Sequence, residues 1–475
     1  MFARVRNINK ESTPSKGLLS FVSPWAWVPT LYFTEGIPYF LVNSISVMLF
    51  AKMGVPNDQL AFFTTLLYFP WFLKGLWSPF VDIIRTKRWW VVAMQALMTV
   101  LCLLLVVTLP SPDNQTIAAK ATSVGTFRWT LVLFIITAFA SATHDIAADG
   151  FYMLAHDTKS QAAFIGIRST FYRIAAVFSQ GVLVYIAGRI EDATGDIPLS
   201  WRITIGVTGL IMLCVTLYHL FLLPRPADDR PRQVKGKEIW HELGEAFATF
   251  FTKPGVWLAI AFMLLYRLSE GFLVKLCMPF LVDARDTIVS NGRITGGGLG
   301  LSTDTVGLLY GTIGVICLLA GGILGGIYIS RRGLKRSLWL MAAALTLPSF
   351  VYCYLSMAQP ESLWLIGAAV SFENFGYGFG FTAYMMYMMH FSEGEYKTSH
   401  YAICTAFMAL SMMIPGFVAG AIEVAVGYTA FFWIANACSL TTFIVTWFVY
   451  KKLEKQSTSQ LANYSTGKTT ISLYE

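Results

Sequence analysis

Apolar stretches of bilayer length alternate along the chain with short breaks of charged, Pro, Gly and Asn residues, and this rhythm predicts the elements. Crossing a hydrocarbon core takes about 20 apolar residues per helix. Twelve stretches meet that length, near 24–50, 58–83, 88–110, 128–156, 161–189, 201–223, 255–283, 303–329, 335–357, 362–391, 398–423 and 427–450. Segments 91–109, 129–140 and 203–223 contain no Asp, Glu, Lys or Arg and are too apolar to be left in water. The pattern predicts an all-α polytopic membrane protein. The break at 224–253 contains PRPADDRPRQVKGK and reads as a polar linker between two six-span halves. The expected organisation is an N-terminal bundle over 1–223, a linker over 224–254, a C-terminal bundle over 255–451 and a polar tail over 452–475. The segment 283–305 holds NGRITGGGLG, but it follows no strand and precedes no P-loop lysine. It reads as a flexible connection outside the membrane rather than a phosphate cradle.

Composition strengthens this reading. The chain has 475 residues, 55% of them hydrophobic and 13% charged, and a mean hydropathy of +0.58; soluble domains carry about 25% charged residues. A net charge of +8 would suit nucleic acid, but its placement explains it differently. With the N-terminus inside, 23 of the 35 Lys and Arg fall in cytoplasmic segments, and only Lys52, Lys120, Arg128, Arg189, Arg202, Arg285 and Arg293 fall outside. That bias follows the positive-inside rule, with both termini in the cytoplasm, and no nucleic-acid partner needs invoking. The 7 Cys are scattered through apolar runs without a CxxC and read as packing residues. The first apolar run outlasts a signal peptide and lacks a small-residue cleavage site, so it reads as an uncleaved span. Two six-span bundles joined by a cytoplasmic linker form the architecture of major facilitator transporters, whose solute site lies near mid-membrane between the halves.

Five basic residues and several acids remain inside the spans. An ionisable group at a helix centre in the bilayer costs about 2.5–3.5 kcal/mol or more, so it faces a cavity or a partner and is a functional candidate by default. Glu35 lies in YFTEGIPYF beside Gly36 and Pro38, Lys74 in the second span, and His144, Asp145 and Asp149 in ATHDIAADGF. The i, i+4 spacing puts both aspartates on one helix face. They can pair structurally with Arg168 or Arg173 of the next span, or one can bind a proton and couple a proton gradient to transport. Glu35, Asp145 and Asp149 are the proton-coupling candidates. Arg168, Tyr172, Arg173, Arg267, Glu270, Lys275, Glu373 and Asn374 are the candidates for lining the substrate cavity. Arg267 and Lys275 can neutralise an anion, although Arg267 and Glu270 are also spaced for an i, i+3 ion pair. Asp82 and Arg85, with Arg331 and Arg332 in the corresponding basic loop of the second half, are gating candidates.

The ordered set YFTEGIP, LKGLWSPFVD, SATHDIAADGF, STFYRIA, LLYRLSEGF and FENFGYGFGFTAY resembles the AmpG-type muropeptide permeases of the major facilitator superfamily, close to the acetyl-coenzyme A transporters. The resemblance runs through nearly the whole chain. It implies proton-driven import of anhydro-muramyl glycan fragments, with or without peptide, across a bacterial inner membrane. It matches Asp145 and Asp149 to the family's acidic pair and Glu373 and Asn374 to its Glu-Asn. Glu35, His144 in place of Gln, Glu270 in place of Asp and the loop at 284–302 depart from the pattern. The expected partners are a small glycan or muropeptide solute, protons and the lipid bilayer, for a monomer without cofactor or metal. Rival solutes are another oligosaccharide, a peptide or acetyl-coenzyme A, the last disfavoured by the few intramembrane cations. A non-transporting sensor is a more remote reading. So is a membrane enzyme using His144 and Asp145, because 6 His without HxxxH or HExxH supply no metal site.

Overall fold

A computed structural model describes residues 23–155, 158–227, 229–231, 236–290, 292–394 and 397–465; the side chain of Asp82 and the tail beyond 465 lie outside that description. Among the described residues, twelve long helices carry the chain back and forth. They are α1 (Pro24–Lys52), α2 (57–84), α3 (Lys87–Thr108), α4 (Arg128–Ala155), α5 (158–194), α6 (Ile197–Leu222), α7 (Val256–Val282), α8 (303–332), α9 (334–358), α10 (Leu363–Ser392), α11 (397–426) and α12 (428–465). Nine helical stretches are long and apolar enough to cross a bilayer among the described residues. Two of these, Thr303–Ala358 and Ser399–Lys455, are 56 and 57 residues long, and each holds two spans. They fold back at Gly333 (φ 74°, ψ 162°) and Gly427 (φ 76°, ψ 165°), a backbone region essentially restricted to glycine. The basic connection expected after the eighth span is therefore a one-residue reversal, not a loop.

With twelve passes, residues 24 and 465 lie at one end of the molecule, and the α1–α2, α3–α4, α5–α6, α7–α8, α9–α10 and α11–α12 turns lie at the other, called here the distal end. Within the first half α3 packs on α4 and α6, and α1 on α5; within the second, α8 and α9 pack along α10, and α7 on α11. The halves meet where α2 runs beside α11 and α5 crosses α8. The second crossing is in backbone contact: a Cβ on Gly311 would fall 1.8 Å from the carbonyl oxygen of Gln180. Both helices widen to π-helical turns there, at Phe178–Leu183 and Gly307–Gly314.

Two connections differ from their sequence reading. The 224–254 segment contains a helix, Gly236–Phe251, whose Phe250 is fully buried and stacks on Phe407 of α11 with ring centroids 6.2 Å apart. Before it, Asp229 accepts the backbone amides of Lys87 and Arg88 at 2.6 and 3.0 Å, so the linker caps the start of α3. The segment after α7 is not loose either. It forms an antiparallel hairpin, β1 (Ile288–Ser290) with β2 (Arg293–Thr295), with Ile288 paired to Thr295. Its glycine-rich return is tied by backbone bonds from Gly298 to Ala284, Leu299 to Phe280 and Gly300 to Asp283, at 2.8–3.0 Å.

Candidate functional site

Ionisable groups of α1, α2, α4 and α5 converge inside the first half. Asp145 and Asp149 share one face of α4, as their spacing predicts, but they take different partners. Lys74 of α2 forms an ion pair with Asp145, and Arg168 of α5 pairs with Asp149 at 2.7 Å. Tyr32 of α1 donates its hydroxyl to Asp149 at 3.2 Å, and the Arg168 guanidinium lies over the Tyr32 ring, 4.6 Å from its centroid. Glu35, one turn along α1 from Tyr32, is 6% exposed and lies beside Asp145. Its Oε2 is buried without a hydrogen-bond partner among the described residues. Three carboxyls thus face two cations. The Lys74, Asp149 and Arg168 side chains keep 35, 37 and 32% of their surface exposed, so protein does not fully cover this cluster.

Arg173 does not join the cluster. Its Nε bonds Ser169 at 3.3 Å, and its Nη1 reaches toward α8, 3.7 Å from where a Cβ on Gly322 would stand. His144 turns away from its neighbour Asp145. It is fully buried in a chain in which Gln95 of α3 bridges His144 and His219 of α6 at 2.9 and 3.0 Å, and His219 meets Thr30 of α1 at 2.9 Å. That chain ties four helices together and gives His144 a packing role the sequence did not disclose.

In the second half α7 is interrupted at Tyr266 and Arg267, between helical segments Val256–Leu265 and Leu268–Val282. The freed turn brings the Arg267 guanidinium onto Glu270 through two bonds of 2.9 and 2.7 Å. Arg267 also bonds the Tyr377 hydroxyl of α10 at 2.8 Å and lies 4.6 Å from the Phe381 centroid. Glu373 is paired to no cation among the described residues; the Asn374 amide reaches it at 3.3 Å while bonding the Val370 carbonyl at 2.9 Å. Lys275 is 2% exposed, also lacks a carboxylate partner among the described residues, and touches Thr64 and the Tyr68 ring of the opposite half at 3.4 and 4.9 Å. Aromatic rings occupy the space between the two charged sets: Tyr39 against Trp71 at 5.1 Å and Tyr172 at 6.2 Å, and Phe40 against Tyr172 at 5.6 Å.

The distal end is closed by a polar knot across the halves. The Asn57 amide at the start of α2 donates to Glu423 and Tyr428 at 2.8 Å each, and Tyr428 donates to Asp283 at 2.7 Å. Lys120, from the α3–α4 turn, bonds Asp283 at 2.5 Å and the Asn57 oxygen at 3.0 Å. Arg293 of the hairpin pairs with Asp58 at 2.6 Å, and Thr303 donates to Glu191 at 2.7 Å. None of these residues stood out in the sequence, because each is an ordinary polar residue at a helix end or in a connection until the halves are docked. The gating candidates lie at the termini end: Arg85 sits 6.0 Å from the Trp89 ring centroid, and Arg331 and Arg332 are exposed, with Arg332 5.9 Å from the Tyr328 centroid.

Comparison with known proteins gives this arrangement a family. The chain is 25% identical over 422 residues to the anhydromuropeptide permease of Escherichia coli strain K12, covering 87% of this chain and 77% of that one. It is 22% identical over 430 residues to putative transporter AmpG 4 of Rickettsia conorii, covering 88% and 94%. Its fold matches a bacterial homologue of the human lysosomal transporter Spinster, solved in an inward-facing, unoccupied conformation, with a TM-score of 0.65 at 15% identity over 91% of this chain and 96% of that one. The Major Facilitator Superfamily model matches residues 30–397, and the chain belongs to that superfamily: a multi-pass membrane protein and secondary transporter, not an enzyme.

Proposed function

We propose that the protein imports anhydro-muramyl glycan fragments, with or without peptide, together with protons across a bacterial inner membrane, as a monomer working by alternating access. The observation that carries proton coupling is the imbalance around Glu35. Three carboxyls meet two cations, Glu35 lies beside Asp145, and its Oε2 is buried with no hydrogen-bond partner among the described residues. Two carboxyls at such range cannot both be ionised at small cost, and a buried uncompensated charge is expensive, so a proton held on Glu35 or Asp145 neutralises the excess. Moving Lys74 or Arg168 away from its aspartate would change how tightly that proton is held. Asp145 and Asp149 serve as the ion-paired members that sense the movement.

The similarity to the Escherichia coli permease supports the cargo, and the aromatic rings of Tyr39, Trp71 and Tyr172 suit stacking on sugar faces. Arg168, Tyr172, Arg173, Arg267, Glu270, Glu373 and Asn374 are proposed to line the path between a first half of 1–223 and a second of 255–451, joined through 224–254 and followed by a tail of 452–475. The basic bias of the termini end supports a cytoplasmic placement of both termini, which makes the closed distal end external. The reading is tested in proteoliposomes with labelled N-acetylglucosaminyl-anhydro-N-acetylmuramic acid and an imposed proton gradient. Wild type is expected to accumulate the disaccharide until a protonophore is added. Glu35→Gln is expected to lose accumulation while retaining exchange down a gradient. Accumulation indifferent to the protonophore refutes the coupling, and undiminished accumulation in E35Q refutes the assignment of Glu35.

A further inference from the structure

We propose that Lys275 is a receptor for a carboxylate on the transported solute, exposed when the distal end opens and covered by the opposite half when it closes. The inference deepens the functional reading above and rests on it for the identity of the cargo.

Of the five intramembrane cations, Lys74, Arg168 and Arg267 each have a carboxylate in direct contact, and Arg173, which bonds the Ser169 hydroxyl, is not buried. Lys275 has no carboxylate in contact among the described residues, yet it is 2% exposed, far more deeply buried than Lys74 or Arg168. An ammonium taken out of water without a counter-charge is destabilising. Its contacts here, a long bond to the Thr64 hydroxyl at 3.4 Å and the face of Tyr68 at 4.9 Å, compensate weakly. A side chain retained under those terms has a partner in another state of the transport cycle.

Position identifies that state. Lys275 lies seven residues before Val282 on α7, and Thr64 lies seven residues after Asn57 on α2. At 1.5 Å per residue both sit about 10 Å inside the distal knot. Thr64 and Tyr68 belong to the first half and Lys275 to the second. Separation of the halves at the distal end therefore uncovers the ammonium to solute entering there. Closure replaces the solute's carboxylate with a hydroxyl and a ring, which bind a cation but cannot neutralise it. The same movement that seals the distal end lowers the site's affinity for an anion and releases it toward the termini end. Arg267 is less suited to this role, because Glu270 already neutralises it through the Nε–Nη2 edge of its guanidinium.

The test compares the disaccharide acid with its lactyl amide, identical but for the charge, by counterflow in proteoliposomes carrying wild type, Lys275→Gln or Lys275→Arg. Wild type is expected to favour the acid by about 10- to 100-fold in KM, the range of one charge-assisted hydrogen bond. The preference should collapse in K275Q and return in large part in K275R. A preference that survives in K275Q overturns the proposal. A second measurement is independent of the cargo: thermal stabilisation of wild type and K275Q by a panel of carboxylated and neutral disaccharides. Stabilisation of wild type alone by carboxylated sugars, without muropeptide transport, upholds the anion site and rejects the muropeptide cargo. Equal stabilisation of both proteins by every sugar rejects the anion site, whatever the cargo.

Discussion

At the scale of single residues, the two charged sets behave differently under substitution. Arg267 and Glu270 are bound to each other through two short bonds, with side chains 6 and 11% exposed and aromatic rings around them. Removing one partner of a buried pair leaves the other charge uncompensated at a cost of about 3–5 kcal/mol, whereas removing both for apolar groups is often near neutral. Glu270→Gln is therefore expected to lower the thermal unfolding temperature in detergent strongly, and the double variant R267M/E270M to restore most of it without restoring transport. Equal stability of E270Q and wild type would show that the pair is not the tight unit its geometry describes. The acidic pair of α4 was legible in the sequence, since the i, i+4 spacing alone places Asp145 and Asp149 on one face. Their partners were not. Arg168 was a candidate, but Lys74 on α2 takes Asp145 and Arg173 points across to α8, and only the packing of α2 and α5 around α4 decides this.

At the scale of elements, hydropathy located the helices to within a few residues, because a bilayer-length apolar run has few alternatives in an α-helical chain; the last is the exception, its helix running on to Ser465 through residues expected to form a polar tail. It read the connections less well. A hairpin over 288–295 and a helix over 236–251 arise from tertiary docking, through Arg293 on Asp58 and Phe250 on Phe407, and neither leaves a strong local pattern. The helix reversals are a third case: Gly333 and Gly427 look like ordinary glycines in a glycine-rich chain, yet each makes a turn that no L-residue adopts without strain of about 1–3 kcal/mol. Gly427→Ala is expected to lower the unfolding temperature by about 1–3 °C. Gly326→Ala, at a helical position with nothing within 4 Å of the added methyl, is expected to leave it unchanged or raise it slightly. The comparison is read by thermal unfolding monitored by tryptophan fluorescence, and a loss of equal size in both variants would show that backbone conformation is not the cause.

At the scale of the whole molecule, the distal knot holds the two halves in the state described, and its chemistry makes it a single device rather than a sum of contacts. Asp283 accepts from Lys120, Tyr428 and Asn57, and Asn57 in turn holds Glu423, which is 1% exposed. Lys120 and Asn57 come from the first half, and Asp283, Glu423 and Tyr428 from the second, so opening the distal end must break every bond between the two groups at once. Lys120 is the cation against two buried carboxyls. Lys120→Gln leaves them uncompensated, and at about 3–5 kcal/mol for a broken buried pair the closed state loses enough free energy to shift a two-state ratio by more than 100-fold. Spin labels at the exposed distal positions 192 and 361, one on each half, report the change directly. The expected outcome for K120Q is a new population at longer distance that dominates the distribution, with the shorter wild-type distance reduced to a minority. An unchanged distribution would mean that the π-helical crossing of α5 and α8 and the α2–α11 contact, not the polar knot, hold the distal end shut.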